Sequence, residues 1–322
     1  MVVGSLPGRE ELLRNLTRNL ALEATLAEIG EAFARRGIQL GVLKGVPLMR
    51  RLKIDLGARW IMDNDLLVRR SDAPRAYDAL LELGFDPPPR LRFGSQLRRH
   101  HELALRRCSA SQGQTVAELH WAAFAPQLFR LPEARVWQHM RPLGLRGVKL
   151  WEPDDTLTIL ILAAHFVQHE LAVPRILEEL GRAWSELGPR LEPRAVWQLA
   201  DSAGLAHALS YCIEAARVLG LCAGPRLPST ARARALLRSV PPEVLFRPGQ
   251  TQSPGRVWAA LWLVSPTRLP AWVWSHVAPP LDSLAAIYDE PESLALLPRY
   301  VTRWGRPLAR RLGVRIAEPR IF

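Results

Sequence analysis

The chain has 322 residues, 48% of them hydrophobic, and a formal net charge of +12, so it can bury a sizeable core as one large or two ordinary domains, which excludes a disordered polypeptide. Lysine occurs only at Lys44, Lys53 and Lys149, and the basic excess is unevenly placed: residues 1–150 hold 24 basic against 15 acidic side chains (+9), residues 151–322 hold 19 against 16 (+3). An anionic partner is therefore expected at the N-terminal half.

Cys108, Cys212 and Cys222 have no metal-ligand spacing and leave one thiol over in any pairing, which suggests a reducing cytoplasm. Glu10 and Glu11 stand where a signal peptide would be apolar. The apolar runs Leu157 to Val167 and Val257 to Val264 fall short of the roughly 20 residues that cross a bilayer. The expectation is a soluble, cytoplasmic protein.

Leu13, Leu16, Leu20, Leu26, Ile29 and Phe33 recur at helical spacing and predict a long amphipathic helix from Glu10 to Arg36. A buried strand follows at about Ile38 to Leu43. The chain turns at Lys44-Gly45, and Pro47 to Lys53 reads as a short helix. A second strand runs from about Trp60 to Val68. Ser71 or Asp72 is placed to cap the next helix, Pro74 suits its first turn, and Gly84 ends it.

Asp86 to Arg99, with its prolines and arginines, reads as a mobile, substrate-facing loop. Glu102 to Arg107 alternates apolar and polar residues, Ser109 to Gln114 supplies turn residues, and Thr115 to Trp121 is strand-like, which together predict a hairpin. From Pro126 onward the patterns are helical with few strand signals. Asp154 or Asp155 caps a helix through about Glu170, and further helices fit Ile176 to Leu187, Arg194 to Ala203 and Ala206 to Leu219. Between Arg232 and Ser275 repeated prolines imply short helices with breaks. This gives an expected division into residues 1–128 and a helical part, 129–322.

The chemistry concentrates between Gly41 and Val68. Side chains alternate along a strand, so Asp63 and Asp65 share a face, roughly 6.5 to 7 Å apart. Two carboxylates held this way repel unless a cation sits between them. Taken alone, an Asp-x-Asp is better read as a strand ending in solvated acids. Gly45 lets the backbone approach a phosphate closely, and Lys44 offers a point charge; a turn glycine beside a solvated lysine is the plainer alternative. The phosphate-loop pattern G-x-x-x-x-G-K-[ST] is absent.

Leu43-Lys44-Gly45, then Arg59, then Asp63-Asn64-Asp65-Leu66-Leu67-Val68, then Glu118-Leu119-His120-Trp121 resemble, in that order, the nucleotidyltransferase-5 type family. These are relatives of the AbiEii-like enzymes within the DNA-polymerase-β-like superfamily. Asn64 departs from the apolar residue usual between the aspartates. The resemblance implies a mixed α/β nucleotidyltransferase domain with a β-α-β-α-β-β order and a small mixed sheet, followed by an all-α domain. It also implies metal-dependent transfer of a nucleoside monophosphate from a nucleoside triphosphate to an acceptor, with pyrophosphate released. Asp63, Asp65 and Glu118 would be the catalytic and metal-binding residues for Mg2+ or Mn2+, and Lys44, Gly45 and Arg59 would hold the nucleotide. Arg59 can clamp a phosphate or pair with Asp63 in the absence of nucleotide, and the two roles are compatible. The acceptor stays open among RNA, a protein or peptide, and a small molecule. A catalytically silent module that binds RNA or a partner protein is the alternative.

His120 shares a strand face with Glu118 and is either a site residue or structural. His100 and His101 are candidate substrate contacts. His165 and His169 have a spacing that can bind zinc, but lack an evident third ligand and are expected to pack within a helix. Trp258, Trp262, Trp272 and Trp274 are expected to be core. The arginines of the loop and hairpin (Arg90, Arg92, Arg98, Arg99, Arg106, Arg107) and of the C-terminal tail would track the phosphates of a nucleic acid, if that is the acceptor.

Overall fold

A computed structural model describes residues 8–89, 91–109, 113–245 and 254–270. Arg90, Trp272, Trp274 and the tail arginines lie outside the described residues. In chain order the elements are α1 (Arg9–Arg35), β1 (Gly41–Val42), α2 (Val46–Arg51), β2 (Asp63–Leu67), α3 (Ala73–Glu82), α4 (Phe93–Arg99), β3 (Glu102–Ser109), β4 (Gly113–His120), α5 (Glu133–Gln138), β5 (Met140–Leu145) and β6 (Val148–Pro153). Helices follow as α6 (Asp155–Gln168), α7 (Pro174–Leu187), α8 (Pro193–Ser202), α9 (Ala206–Val218), α10 (Ala231–Ser239), α11 (Pro242–Leu245) and α12 (Pro254–Leu263). The α/β part followed by helices agrees with the expected class, and β1 to β4 come in the expected order.

Among the described residues the strands form one six-stranded mixed sheet in the order β3-β4-β2-β1-β6-β5. β2 runs parallel to β4 and antiparallel to β1. Alternation along β2 sorts its side chains: Leu66 and Val68 join the core under α1 and α3 with Leu26, Ile29, Phe33 and Leu80. Leu67 instead joins the core shared with α6, α7 and α9. Asp63 and Asp65 have the parity of Leu67 and face the helical side. Asn64 faces α1, where its buried amide donates to the Leu22 carbonyl at 3.1 Å. A polar residue is accommodated there because it has a partner.

Three expectations are corrected. The strand expected from Trp60 begins only at Asp63, because the Ile61 amide donates to the Asn19 side chain at 3.2 Å instead of to a neighbouring strand. The loop expected at Asp86 to Arg99 contains helix α4. Phe93 stacks on Tyr77 at 4.3 Å and meets the edge of Trp121 at 5.9 Å, and this packing supplies what local propensity does not. The region after Pro126 holds a hairpin, β5 and β6, which extends the sheet to Pro153. Leu145 pairs with Val148 across Arg146 and Gly147, both with positive φ (50° and 83°), a turn whose twist suits a two-residue hairpin. Pro142 hides the strand from a propensity reading and is tolerated because β5 is the sheet edge.

The helical expectations hold closely: α6 is capped by Asp154, whose side chain accepts from the Leu157 amide. Trp262 is a further correction, since it is 52% exposed on α12 with Arg232 above its ring at 5.7 Å. No helix among the described residues is long and apolar enough to cross a membrane.

Candidate active site

The register of β2 against β4 sets Asp65 opposite Glu118, and that of β3 against β4 sets Glu102 opposite His120. All four side chains therefore share one sheet face with Asp63. That face opens into a cavity of about 330 Å³. Lys44, Gly45 and the segment Arg59 to Met62 form one side of it, and α6 and α7 form the opposite wall with His165, Gln168, His169, Arg175 and Glu179. The cavity thus gathers every residue assigned from the sequence to the metal or nucleotide: Asp63, Asp65, Glu118, Lys44, Gly45 and Arg59.

Asp65 is 1% exposed. Burial alone would raise its carboxyl, but Lys44 Nζ at 2.7 Å and His120 Nε2 at 3.4 Å outweigh it and hold Asp65 well below the usual carboxylate range. Lys44 moves reciprocally: burial would lower it, yet the charges of Asp65, Asp63 and Glu118 raise it above its ordinary value. Asp63 is raised to about 7, first by burial and then by repulsion from Asp65 and Glu118, with Lys44 opposing. Two aspartates on one strand are thus shifted in opposite directions because Lys44 and His120 bear directly on Asp65. Gly45 has φ 80°, a conformation that favours glycine at this turn.

Arg59 is not paired with Asp63, the alternative left open above. Its guanidinium forms an ion pair with Glu179 of α7, and its pKa is lowered to about 10 by burial and the neighbouring Arg175. The loop that carries it is fixed by α1. Asn19 donates to the carbonyls of Leu56 (2.7 Å) and Arg59 (2.6 Å) and accepts from Ile61, while Asn15 donates to Gly57 at 2.9 Å. These buried asparagines lie four residues apart on the helix face that a hydrophobic reading leaves blank. Their spacing is the signal that could have found them.

The histidines sort themselves by position. His120 is buried with Nδ1 at 3.1 Å from Glu102 and Nε2 at 3.6 Å from Glu118. Burial would lower its pKa, but Glu102, Asp65 and Glu118 raise it to about 10. Glu102, unassigned from sequence, would be raised by burial but is held down to about 2 by His120 and His101. His101 lines the cavity, whereas the His100 carbonyl accepts from the Trp121 indole at 2.8 Å. His165 and His169 meet edge to face at 4.4 Å on the cavity wall, and burial together with Lys44 lowers both. They pack on one another as expected, but facing the carboxylates. Trp60 and Met62, 39% and 63% exposed, stand on the rim and were not singled out by the sequence.

Of the arginines expected to follow phosphates, Arg107 is committed elsewhere. It pairs with Glu28 at 2.7 Å and lies over the Phe85 ring at 4.7 Å.

An Asp-x-Asp strand beside a glutamate strand, on a mixed sheet and facing a cavity that holds lysine and arginine, defines a class of enzyme that handles phosphate esters. Residues 8–220 match the family described as uncharacterised nucleotidyltransferase, and the chain belongs to that family. It is an enzyme of the nucleotidyltransferase class. No curated protein and no solved structure matches the chain.

Proposed function

We propose that the chain transfers a nucleoside monophosphate from a nucleoside triphosphate to an acceptor hydroxyl and releases pyrophosphate, with Mg2+ or Mn2+ held by Asp63, Asp65 and Glu118. The observation that carries this reading is the convergence of three carboxylates, Asp63, Asp65 and Glu118, on one cavity, with Asp65 buried and its Oδ1 facing Lys44 and His120. Oxygen donors converging without hydrogens of their own fit a hard divalent cation. When bound, the cation would neutralise phosphate charge and lower the barrier to attack by the acceptor oxygen.

The chain's own groups supply the remainder. Lys44 neutralises Asp65 and would be free to turn to the triphosphate were a cation held by the carboxylates. Gly45 allows close backbone approach, and Arg59 clamps phosphate after exchanging Glu179 for it. Glu118, partly exposed to the cavity, accepts the proton of the acceptor hydroxyl as the new oxygen–phosphorus bond forms. The bond between the α-phosphorus and the bridging oxygen breaks, and its electrons leave with pyrophosphate. The exposed face of Trp60 offers a surface on which a base stacks. We take the catalytic part to extend through Pro153, in place of residue 128, and the helices from α6 onward to form the wall that selects the acceptor, in a cytoplasmic protein.

A silent binding module is the second reading, favoured by one observation: the Lys44 ammonium already neutralises Asp65, one of the carboxylates a cation would need. Incubation with each α-labelled nucleoside triphosphate and a cell extract, with and without Mg2+, separates the two. Label entering RNA, protein or a small molecule together with pyrophosphate supports transfer and names the acceptor class. Nucleotide-induced thermal stabilisation without any label transfer supports the silent module.

A further inference from the structure

We propose a second cation site beside the carboxylates, made by His101 Nε2, Glu102 Oε2 and His120 Nδ1, for a nitrogen-binding divalent metal of the zinc or cobalt kind. It stands independently of the transfer reading, since none of its three donors is needed for the assignment of Asp63, Asp65 and Glu118.

The strand register creates the site. Glu102 opens β3 directly opposite His120 on β4, and His101 immediately precedes it. Glu102 Oε2 lies 3.0 Å from His101 Nε2 and 3.1 Å from His120 Nδ1, and the three donor atoms fall within 4.8 Å of one another. Donors around a tetrahedral zinc at 2.0–2.1 Å are separated by roughly 3.3 Å, close to the two separations from Glu102. The side chains of His101 and His120 are 8% and 7% exposed, that of Glu102 32%. The imidazoles are thus held in place, and all three residues line the cavity. Two imidazoles and one carboxylate favour zinc and its neighbours over magnesium, which prefers an all-oxygen shell.

The far side of His120 supplies the second argument. A metal-bound imidazole commonly donates its other N–H to a carboxylate, which fixes the ring. His120 Nε2 points that way, 3.4 Å from Asp65 Oδ1. Neither ring nitrogen makes an aligned hydrogen bond, although each lies in ion-pair range of a carboxylate, and a metal on Nδ1 takes the place of its proton. A cation on Nδ1 would complete an Asp65–His120–metal chain and tie this site to the orientation of Asp65.

The test is Co2+ titration of the untagged, chelator-stripped full chain in excess Mg2+, read by the visible absorption of nitrogen-ligated Co2+. One Co2+ per chain is expected, retained in Asp63→Asn and weakened about 10- to 100-fold in His101→Ala and in Glu102→Gln. The proposal is overturned if the wild type takes up no Co2+ or Zn2+ under these conditions, or if both variants bind as the wild type does. Should either variant fail to fold by circular dichroism, X-ray absorption of the zinc-loaded wild type decides. Two imidazole scatterers in the zinc shell support the site, and a shell without imidazole overturns it. Failure of the transfer reading would leave these measurements unchanged.

Discussion

Replacing Asp63 by Asn removes a carboxylate that the metal-free protein holds at a cost, so the variant is expected to be inactive yet more stable than the wild type at neutral to alkaline pH. The carboxyl is raised to about 7 by burial, Asp65 and Glu118, from an ordinary value of about 4. For an acid whose folded pKa lies above its unfolded one, the native state binds the extra proton, and stability falls as pH rises between about 4 and 7. A three-unit difference corresponds to about 4 kcal/mol at full strength. Asp63 is only partly buried, and solvent screening reduces the figure to about 2 kcal/mol, or about 4 °C in melting temperature for a chain of this size. The assay is thermal unfolding in chelator at pH 5 and pH 8. Asp63→Asn should melt higher at pH 8, with the gap narrowing toward pH 5. Added Mg2+ should raise the wild type and leave the variant nearly unmoved, while pyrophosphate release falls by about two orders of magnitude or more. A variant that melts below the wild type at pH 8, or that turns over at a near wild-type rate, would refute the reasoning.

Lys44→Ala should lower the melting temperature of the metal-free protein, because removing one partner of a buried ion pair leaves the other uncompensated at a cost of about 3–5 kcal/mol; Mg2+ should restore much of it, and no recovery would mean that no cation reaches Asp65. Glu179→Gln releases Arg59 and should tighten triphosphate binding severalfold in calorimetry, whereas unchanged or weaker binding would make Arg59 a structural arginine. Asn19→Ala removes three hydrogen bonds to the Leu56–Ile61 loop and should cost about 3 kcal/mol by denaturant titration; loss of less than about 1 kcal/mol would show that the loop is held by other contacts. If the acceptor is RNA, binding to Glu118→Gln protein should weaken with salt by a slope of about −0.7 per phosphate contacted. Arg107→Ala should leave that slope alone, since its guanidinium is engaged with Glu28.

The local pattern determined a good deal. Apolar spacing gave α1 and α6 to α9 almost to the residue, because a helix that buries one face writes its period into the chain. The alternation around Asp63 and Asp65, with Lys44-Gly45 before and Glu118 after, marked the candidate site, because residue types that serve phosphate and cation chemistry are few and their order along a strand survives without knowledge of the fold. What the tertiary structure alone decided lies in contacts between distant segments. Register put Glu102 against His120, the wall of α6 and α7 brought His165, His169 and Glu179 across from the carboxylates, and Arg59 found Glu179 instead of Asp63. The hairpin β5–β6 and helix α4 were hidden because Pro142 and the proline-rich approach to Arg92 oppose local propensity, and only pairing with β1 and stacking on Tyr77 override it. The proton affinity of each aspartate belongs to the same category: sequence made them equivalent, and Lys44 and His120 placed on Asp65 shift the two apart.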